Sequence, residues 1–379
     1  MLVVLSPGQG AQKPGLLLPW LDLPGARERV TRWSALTELD LLDLGTRGTA
    51  EQIRDTAVAQ PLLVATALLS ARALLGEAVP GAVCGHSIGE LAALAVAGVV
   101  SSDDAVVLAA QRGRAMADAA ALAPTGMAAV LGGDPAQVAA AAQALDLEVA
   151  TVNVAGQQVL GGPVEALDRF AADPPAGARV KPLDVAGAFH TAAMGPARDR
   201  FATALAALRP RRALCPMVAD ADGEPVTDGP ALLDRLAAQL TGPVRFDLCL
   251  QSLRRLGATA VVELAPAGTL TALAKRALPG VRTAPLAGPD DLPAARALLD
   301  AEHGESPDVA WRVVAAAGPG VVDRVAATGD RLRGGDRLAV VSGRAGAQDV
   351  PAPHDGTLLE WLVSAGDPVR AGQPLAVLA

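Results

Sequence analysis

In "GHSIGE", residues 85 to 90, a serine stands between two glycines, directly after a histidine and ahead of an alanine- and leucine-rich run. Glycines at 85 and 89 are what a sharp strand-to-helix turn requires, because side chains there would clash where the helix folds back on its strand. The turn holds Ser87 in a strained conformation with its hydroxyl exposed. The free N–H groups of the following helix then stabilise negative charge developing on a substrate oxygen. The spacing predicts a nucleophile. A serine nucleophile needs a base, and the chain has only four histidines. His86 adjoins the serine and is expected to project away from it, His303 falls in a polar stretch, and His354 lies near the C-terminus. His190, in "VAGAFHTAAM", is the candidate that remains. No orienting carboxylate stands out, since Asp184 and several other acids between Ser87 and His190 are equally available.

The elements that must position these residues read as α/β. Residues 2 to 5 form a short apolar strand ending in a Gly-rich turn, 57 to 75 a long apolar helix, 81 to 84 a strand, and 88 to 100 a helix. Strand, turn and helix in that order predict an α/β-hydrolase-like large subdomain. From Gly126 the texture changes to β-α-β-β-α-β, which predicts a ferredoxin-like subdomain inserted at about 126–188. The α/β texture resumes after His190, so that histidine is expected where the insertion rejoins the main body, beside a cleft. The stretch "DAEHGESPDVAWR" (300 to 312) is polar and reads as a linker. The expected division is 1–300, a linker at 301–308, and 309–379.

Beyond the linker, "GDRLRGGDRLAVV" from Gly329 and "GDPVRAGQPLAVL" from Gly366 agree at seven of thirteen positions. Two similar hairpin units predict a small all-β domain.

Composition narrows the function classes. Half of the 379 residues are apolar, yet there are four Trp, four Phe and no Tyr, so the cores must be aliphatic. The net charge of −8 argues against nucleic acid as the main partner. Three widely spaced cysteines, Cys84, Cys215 and Cys249, make neither a disulfide framework nor a metal site. No signal-peptide pattern and no membrane-spanning window is read from the chain, so a cytoplasmic protein that avoids membranes is expected.

Six blocks, in order, resemble the malonyl-CoA:acyl carrier protein transacylases: "LSPGQGAQKPG" at the start, "GHSIGE", "AQRGRAM", "VATVNVAGQQVLGG", "VAGAFHTAAM" and "GPVRFDLCLQSL". The similarity covers residues 1 to 300. It implies a two-step acyl transfer without a cofactor: Ser87 takes malonyl from malonyl-CoA and passes it to the phosphopantetheine thiol of an acyl carrier protein, for fatty acid or polyketide synthesis. By the same resemblance His190 is base and then acid, held by a backbone carbonyl. The backbone N–H groups of Gln9 and Ile88 hold the oxyanion, and Arg112 grips the malonyl carboxylate through a two-pronged contact. Met116 and Asn153 fall within matching blocks and are expected to contact substrate. Phe189 matches the pattern of members that select malonyl over its 2-methyl derivative. Arg245 stands where several members carry glutamine and is expected in the polar lining near the histidine.

Residues 309 to 379 resemble a biotinyl- or lipoyl-carrier domain, a barrel-sandwich hybrid whose two halves meet at a hairpin bearing a modified lysine. Here "SGRAG" occupies that turn with Ala345 at the lysine position, and no lysine follows Lys275. Biotin or lipoate attachment in the usual way is therefore excluded. Docking of a carboxylase or synthase partner is the expected role. Two other readings stay open at this level: a serine esterase or thioesterase using the same elbow, and an inactive interaction protein centred on the C-terminal domain.

Overall fold

The computed structural model describes residues 1–304, 312–343 and 346–378. It divides into two compact units, Met1–Ala301 and Glu302–Ala379. In chain order the first carries strands β1 (Leu2–Ser6), β2 (Ala82–Gly85), β3 (Thr125–Gly132), β4 (Glu148–Val154), β5 (Gln157–Pro163), β6 (Ala178–Pro182), β7 (Met217–Val218), β8 (Pro225–Val226), β9 (Val244–Arg245), β10 (Ala260–Glu263) and β11 (Arg282–Pro285).

The large sheet runs β11-β10-β1-β2-β7-β8 and is parallel except for the edge strand β8. Strand β1 shows why helices must cover both faces. Leu2 and Val4 enter one apolar cluster, with Leu62, Leu63 and Trp33, while Val3 and Leu5 enter another, with Phe246, Cys249 and Leu250. Successive side chains point to opposite faces, so a strand that is apolar throughout is buried on both sides. Register pairs Leu5 with Cys84 and Ser6 with Gly85, which brings the loops after β1 and β2 side by side at the carboxyl edge of the sheet.

Among the described residues one helix, Thr56–Leu75, is long and apolar enough to cross a membrane. Of its most apolar window 78% is buried inside the protein, which makes it a core helix here. Asp55 starts it by accepting the Ala57 N–H at 2.8 Å.

The small sheet takes β3 to β6 with helices Pro135–Gln143 and Val164–Ala172 between them, in the order β6-β3-β5-β4. A fifth strand, β9, comes from outside this run and pairs parallel with β4 at Thr151–Val244 and Val152–Arg245. Sequence texture does not show it, because two residues carry no periodicity. An otherwise open edge of β4 accepts them.

The last helix of the first unit, Leu292–Gly304, runs into the stretch read as linker. Residues 305–311 lie outside those described, so only the start of that reading is corrected. In the second unit the strands are β12 (Arg312–Ala315), β13 (Gly320–Arg324), β14 (Arg331–Leu332), β15 (Arg337–Gly343), β16 (Gly346–Pro351), β17 (Gly356–Trp361), β18 (Pro368–Val369) and β19 (Pro374–Leu378). They form two four-stranded sheets, β12-β19-β17-β14 and β16-β15-β13-β18, around Val322, Leu338, Leu358 and Leu375. The sequence repeat is a structural one. Asp330 accepts the Ala327 N–H and Asp367 the Ser364 N–H, each at 2.7 Å, 37 residues apart. Asp336 and Gln373 do the same for Arg333 and Arg370. Each turn needs a glycine at positive φ, Gly329 (95°) and its counterpart Gly366 (89°). Ala345 lies outside the described residues.

Candidate active site

Strand β2 ends at Gly85, and the helix Gly89–Val96 begins four residues on. A Cβ on Gly85 would lie 2.2 Å from the Glu90 nitrogen, and one on Gly89 only 2.1 Å from the Ser6 carbonyl oxygen. Both positions must therefore be glycine. Between them Ser87 adopts φ 53°, a left-handed conformation that a side chain disfavours and that serves to project its Oγ.

Ser87 Oγ lies 2.7 Å from His190 Nε2. The other ring nitrogen, Nδ1, is 2.8 Å from the carbonyl oxygen of Gln239. A carbonyl only accepts, so Nδ1 carries the hydrogen and Nε2 is left to accept the serine proton. His190 also holds a positive φ, 62°, and is 6% exposed. Burial, with the Arg112 charge beside it, pushes its pKa down to about 3. The ring is thus a neutral base at neutral pH.

Arg112, in the helix Ser102–Ala120, is fully buried. Its guanidinium donates to Gln60 Oε1 at 2.8 Å, to Gln239 Oε1 at 2.7 Å and to Ser87 Oγ at 3.2 Å, while Nε has no partner among the described residues. Desolvation lowers its pKa to about 10, which still leaves it charged. Behind the serine lie two further buried acids, Glu90 and Asp220.

A cavity of about 250 Å³ opens onto Ser87 and His190. Gln9, Met116, Asn153 and Phe189 line it. Ile88 is buried at the start of the helix, and neither its N–H nor that of Gln9 finds a protein acceptor among the described residues. Two free amides beside a serine–histidine pair are what an oxyanion needs. Gln9 is steadied through its side chain, which donates to Thr56 Oγ1 at 3.2 Å. Met116 Sδ accepts from Gln60 Nε2 at 3.3 Å.

Two expectations fail. Arg245 does not line the cavity: its guanidinium forks onto Asp247 with both bonds at 2.9 Å, and that bidentate pair holds it away. His86 does not turn from the site. Its Nε2 donates to Oδ1 of Asn153, on strand β4 of the small sheet, at 3.0 Å, and its ring lines the cavity.

Sequence reasoning also missed Gln60, Gln239 and Asp220. The trace of Gln60 was there, a lone amide in an otherwise apolar helix whose burial demands partners. Asp220 lies in a turn and Gln239 opens a single 3-10 turn, Gln239–Thr241, where no periodicity flags them.

Comparison with known proteins bears on this geometry. Residues 3–298 match the acyl transferase domain, and residues 306–378 match a family described as biotin-requiring enzyme. Over 296 residues the chain is 50% identical to the malonyl CoA-acyl carrier protein transacylase of Mycobacterium tuberculosis, covering 77% of this chain and 98% of that one. The chain belongs to the malonyl CoA-acyl carrier protein transacylase family. The relative from Escherichia coli is 34% identical over 298 residues, 76% of this chain and 96% of its own. The crystal structure of MCAT from Mycobacterium tuberculosis aligns with a TM-score of 0.76 at 50% identity, over 78% of this chain and 99% of that one. A malonyl-transacylase in complex with a type II PKS acyl-carrier protein aligns at 0.75 with 28% identity, over 78% and 99%. The transacylase match stops where the first unit stops, and the second unit lies beyond the length those relatives share.

Proposed function

We propose that the chain transfers malonyl from malonyl-CoA to the phosphopantetheine thiol of an acyl carrier protein through an ester on Ser87. The observation that carries this reading is the 2.7 Å contact from Ser87 Oγ to a His190 whose other nitrogen is tied to a carbonyl, beside a buried arginine. In the first half-reaction Ser87 Oγ attacks the thioester carbon, its proton passing to His190 Nε2. The amides of Gln9 and Ile88 hold the oxyanion. Collapse expels the coenzyme A thiolate, which takes the proton from His190. In the second, His190 removes the proton of the carrier thiol, whose sulfur attacks the seryl ester, and Ser87 leaves with the proton returned.

Arg112 holds the free carboxylate of malonyl, exchanging its contacts with Gln60 and Gln239 and engaging its unpartnered Nε. That charge selects a diacid and disfavours the esterase reading, since water as acceptor has no use for it. Phe189 fills the room a 2-methyl group would need, which is worth about 1–3 kcal/mol of preference. We read the first unit as an α/β-hydrolase-like subdomain carrying a ferredoxin-like insertion, and the second as a barrel-sandwich hybrid that docks a carboxylase or synthase partner. Free, buried Cys84, Cys215 and Cys249 fit a reducing cytoplasm.

Mass spectrometry after malonyl-CoA is expected to find a malonyl adduct on Ser87 that moves to carrier protein faster than to water, and none in Ser87→Ala. Prompt hydrolysis without carrier acylation would favour the esterase. Arg112→Ala is expected to reduce malonyl transfer about ten- to a hundredfold relative to acetyl. If both fell equally, Arg112 would be structural.

A further inference from the structure

Behind Ser87, outside the cavity lining, two buried carboxyl groups lie side by side. Asp220, just past β7, accepts the Ser87 N–H on Oδ2 at 2.6 Å. Its own N–H donates to Glu90 Oε1 at 2.8 Å, and Glu90 stands in the first turn of the helix that follows the serine. Gln239 closes the loop. Its Nε2 reaches Glu90 Oε2 at 2.7 Å, Asp220 Oδ1 at 2.9 Å and the Ser87 carbonyl at 3.2 Å, while its own carbonyl holds His190 Nδ1. Asp220 is fully buried, and Glu90 and Gln239 are each 1% exposed.

We propose that Asp220 is a positioning residue for the nucleophile: backed by Glu90 and joined through Gln239 to the carbonyl that orients His190, its carboxylate clamps the strained Ser87 backbone so that serine and base are set by one buried unit.

The clamp rests on reading Ser87 as the nucleophile. A left-handed serine needs something to hold it, and a charge-assisted bond from its amide is about twice as strong as a neutral one. The same bond occupies the Ser87 amide, so the oxyanion must be held by the next amide along, that of Ile88, together with Gln9. The charge count is consistent with a shared proton. Arg112 is the cation facing the carboxyl pair, and His190 and His86 are kept neutral by burial. Two full negative charges would exceed the one guanidinium facing them at so buried a site. Burial accordingly raises Asp220 to about 6, and burial next to Asp220 raises Glu90 well above the usual carboxylate range. Burial also holds the neighbouring Cys249 thiol well above its usual range.

The test uses the full chain and a fluorophosphonate, which captures an activated serine by phosphorus–oxygen bond formation with loss of fluoride and makes no use of malonyl recognition. Wild-type protein is expected to label at Ser87. Asp220→Ala is expected to label at least tenfold more slowly, and its kcat for malonyl transfer to fall similarly with KM for malonyl-CoA within twofold. Asp220→Asn keeps an acceptor oxygen for the Ser87 amide and is expected to restore most of the rate. Should the alanine variant not fold, Asp220→Ser replaces it, polar but too short to reach the amide. Equal labelling of the wild type and the alanine or serine variant would overturn the clamp, as would an asparagine variant no faster than alanine. Absence of labelling in the wild type would instead remove the Ser87 assignment, and the clamp with it.

Discussion

His190 combines a 2.7 Å bond to the serine with a pKa pushed down to about 3, mainly by burial. The sign of its effect on stability follows. An unfolded chain takes up this proton below about 6.5, but the folded protein refuses it until near 3. Folding therefore loses about 1.4 kcal/mol per pH unit across that window as pH falls. Asp220 acts in the opposite sense: raised from 3.8 to about 6, it contributes stability below 3.8 that is lost as pH rises through 6. His190→Gln removes the first contribution and leaves the second. Its thermal midpoint is expected to gain on that of the wild type as pH is lowered from 7 to 4.5, by calorimetry of both proteins. A constant difference across that range would mean that His190 is not held neutral.

At the scale of elements, the turn from β2 into its helix works because two backbones pass within contact distance. Gly89 lies against the Ser6 and Pro7 carbonyls, at 2.1 and 2.8 Å from the place a Cβ would take. These are strand-end atoms tied into the sheet, since Ser6 O also accepts the His86 N–H at 3.1 Å. Gly89→Ala forces them apart, at a cost of about 1–3 kcal/mol. The variant is expected to melt several degrees lower and to acylate at least tenfold more slowly. Gly195→Ala is the control, because no atom lies within 4 Å of its Cβ position, and both quantities are expected to stay at wild-type values. Equal behaviour of the two variants would show that the elbow is not under steric constraint. The glycine pattern was legible in the sequence because steric exclusion leaves a residue-type signature. The fifth strand of the small sheet was not, since β9 exists only through pairing with β4.

At the scale of the whole molecule, the two units have separate apolar cores, Val4, Leu62 and Trp33 in one and Val322, Leu338 and Leu358 in the other. A protein ending at Ala301 is expected to fold and to keep Ser87 acylation. If the second unit recruits a partner, its removal raises the KM for a cognate carrier or carboxylase more than it lowers kcat, because a linked module acts through effective concentration. The separate module is expected to show the mass of its bare polypeptide when made beside active biotin and lipoyl ligases, as no lysine follows Lys275. Loss of acylation on truncation would make the second unit part of the catalytic fold and end the docking reading.

Sequence alone determined the features that depend on residue type at short range. These are the glycine-flanked serine, the apolar strands, the histidine left by elimination, and the repeat of two hairpin units. Each is enforced by sterics or hydrogen bonds within a few residues, so the pattern survives in one dimension. Only the tertiary structure decided what converges on Ser87 from afar. Asp220 and Gln239 lie 133 and 152 positions away and meet it through the packing of a turn and a short 3-10 helix from distant parts of the chain. It decided equally that Arg245 spends its guanidinium on Asp247 and that His86 faces Asn153. Partners chosen across the fold are set by where burial leaves polar groups without water, and no local spacing records that choice.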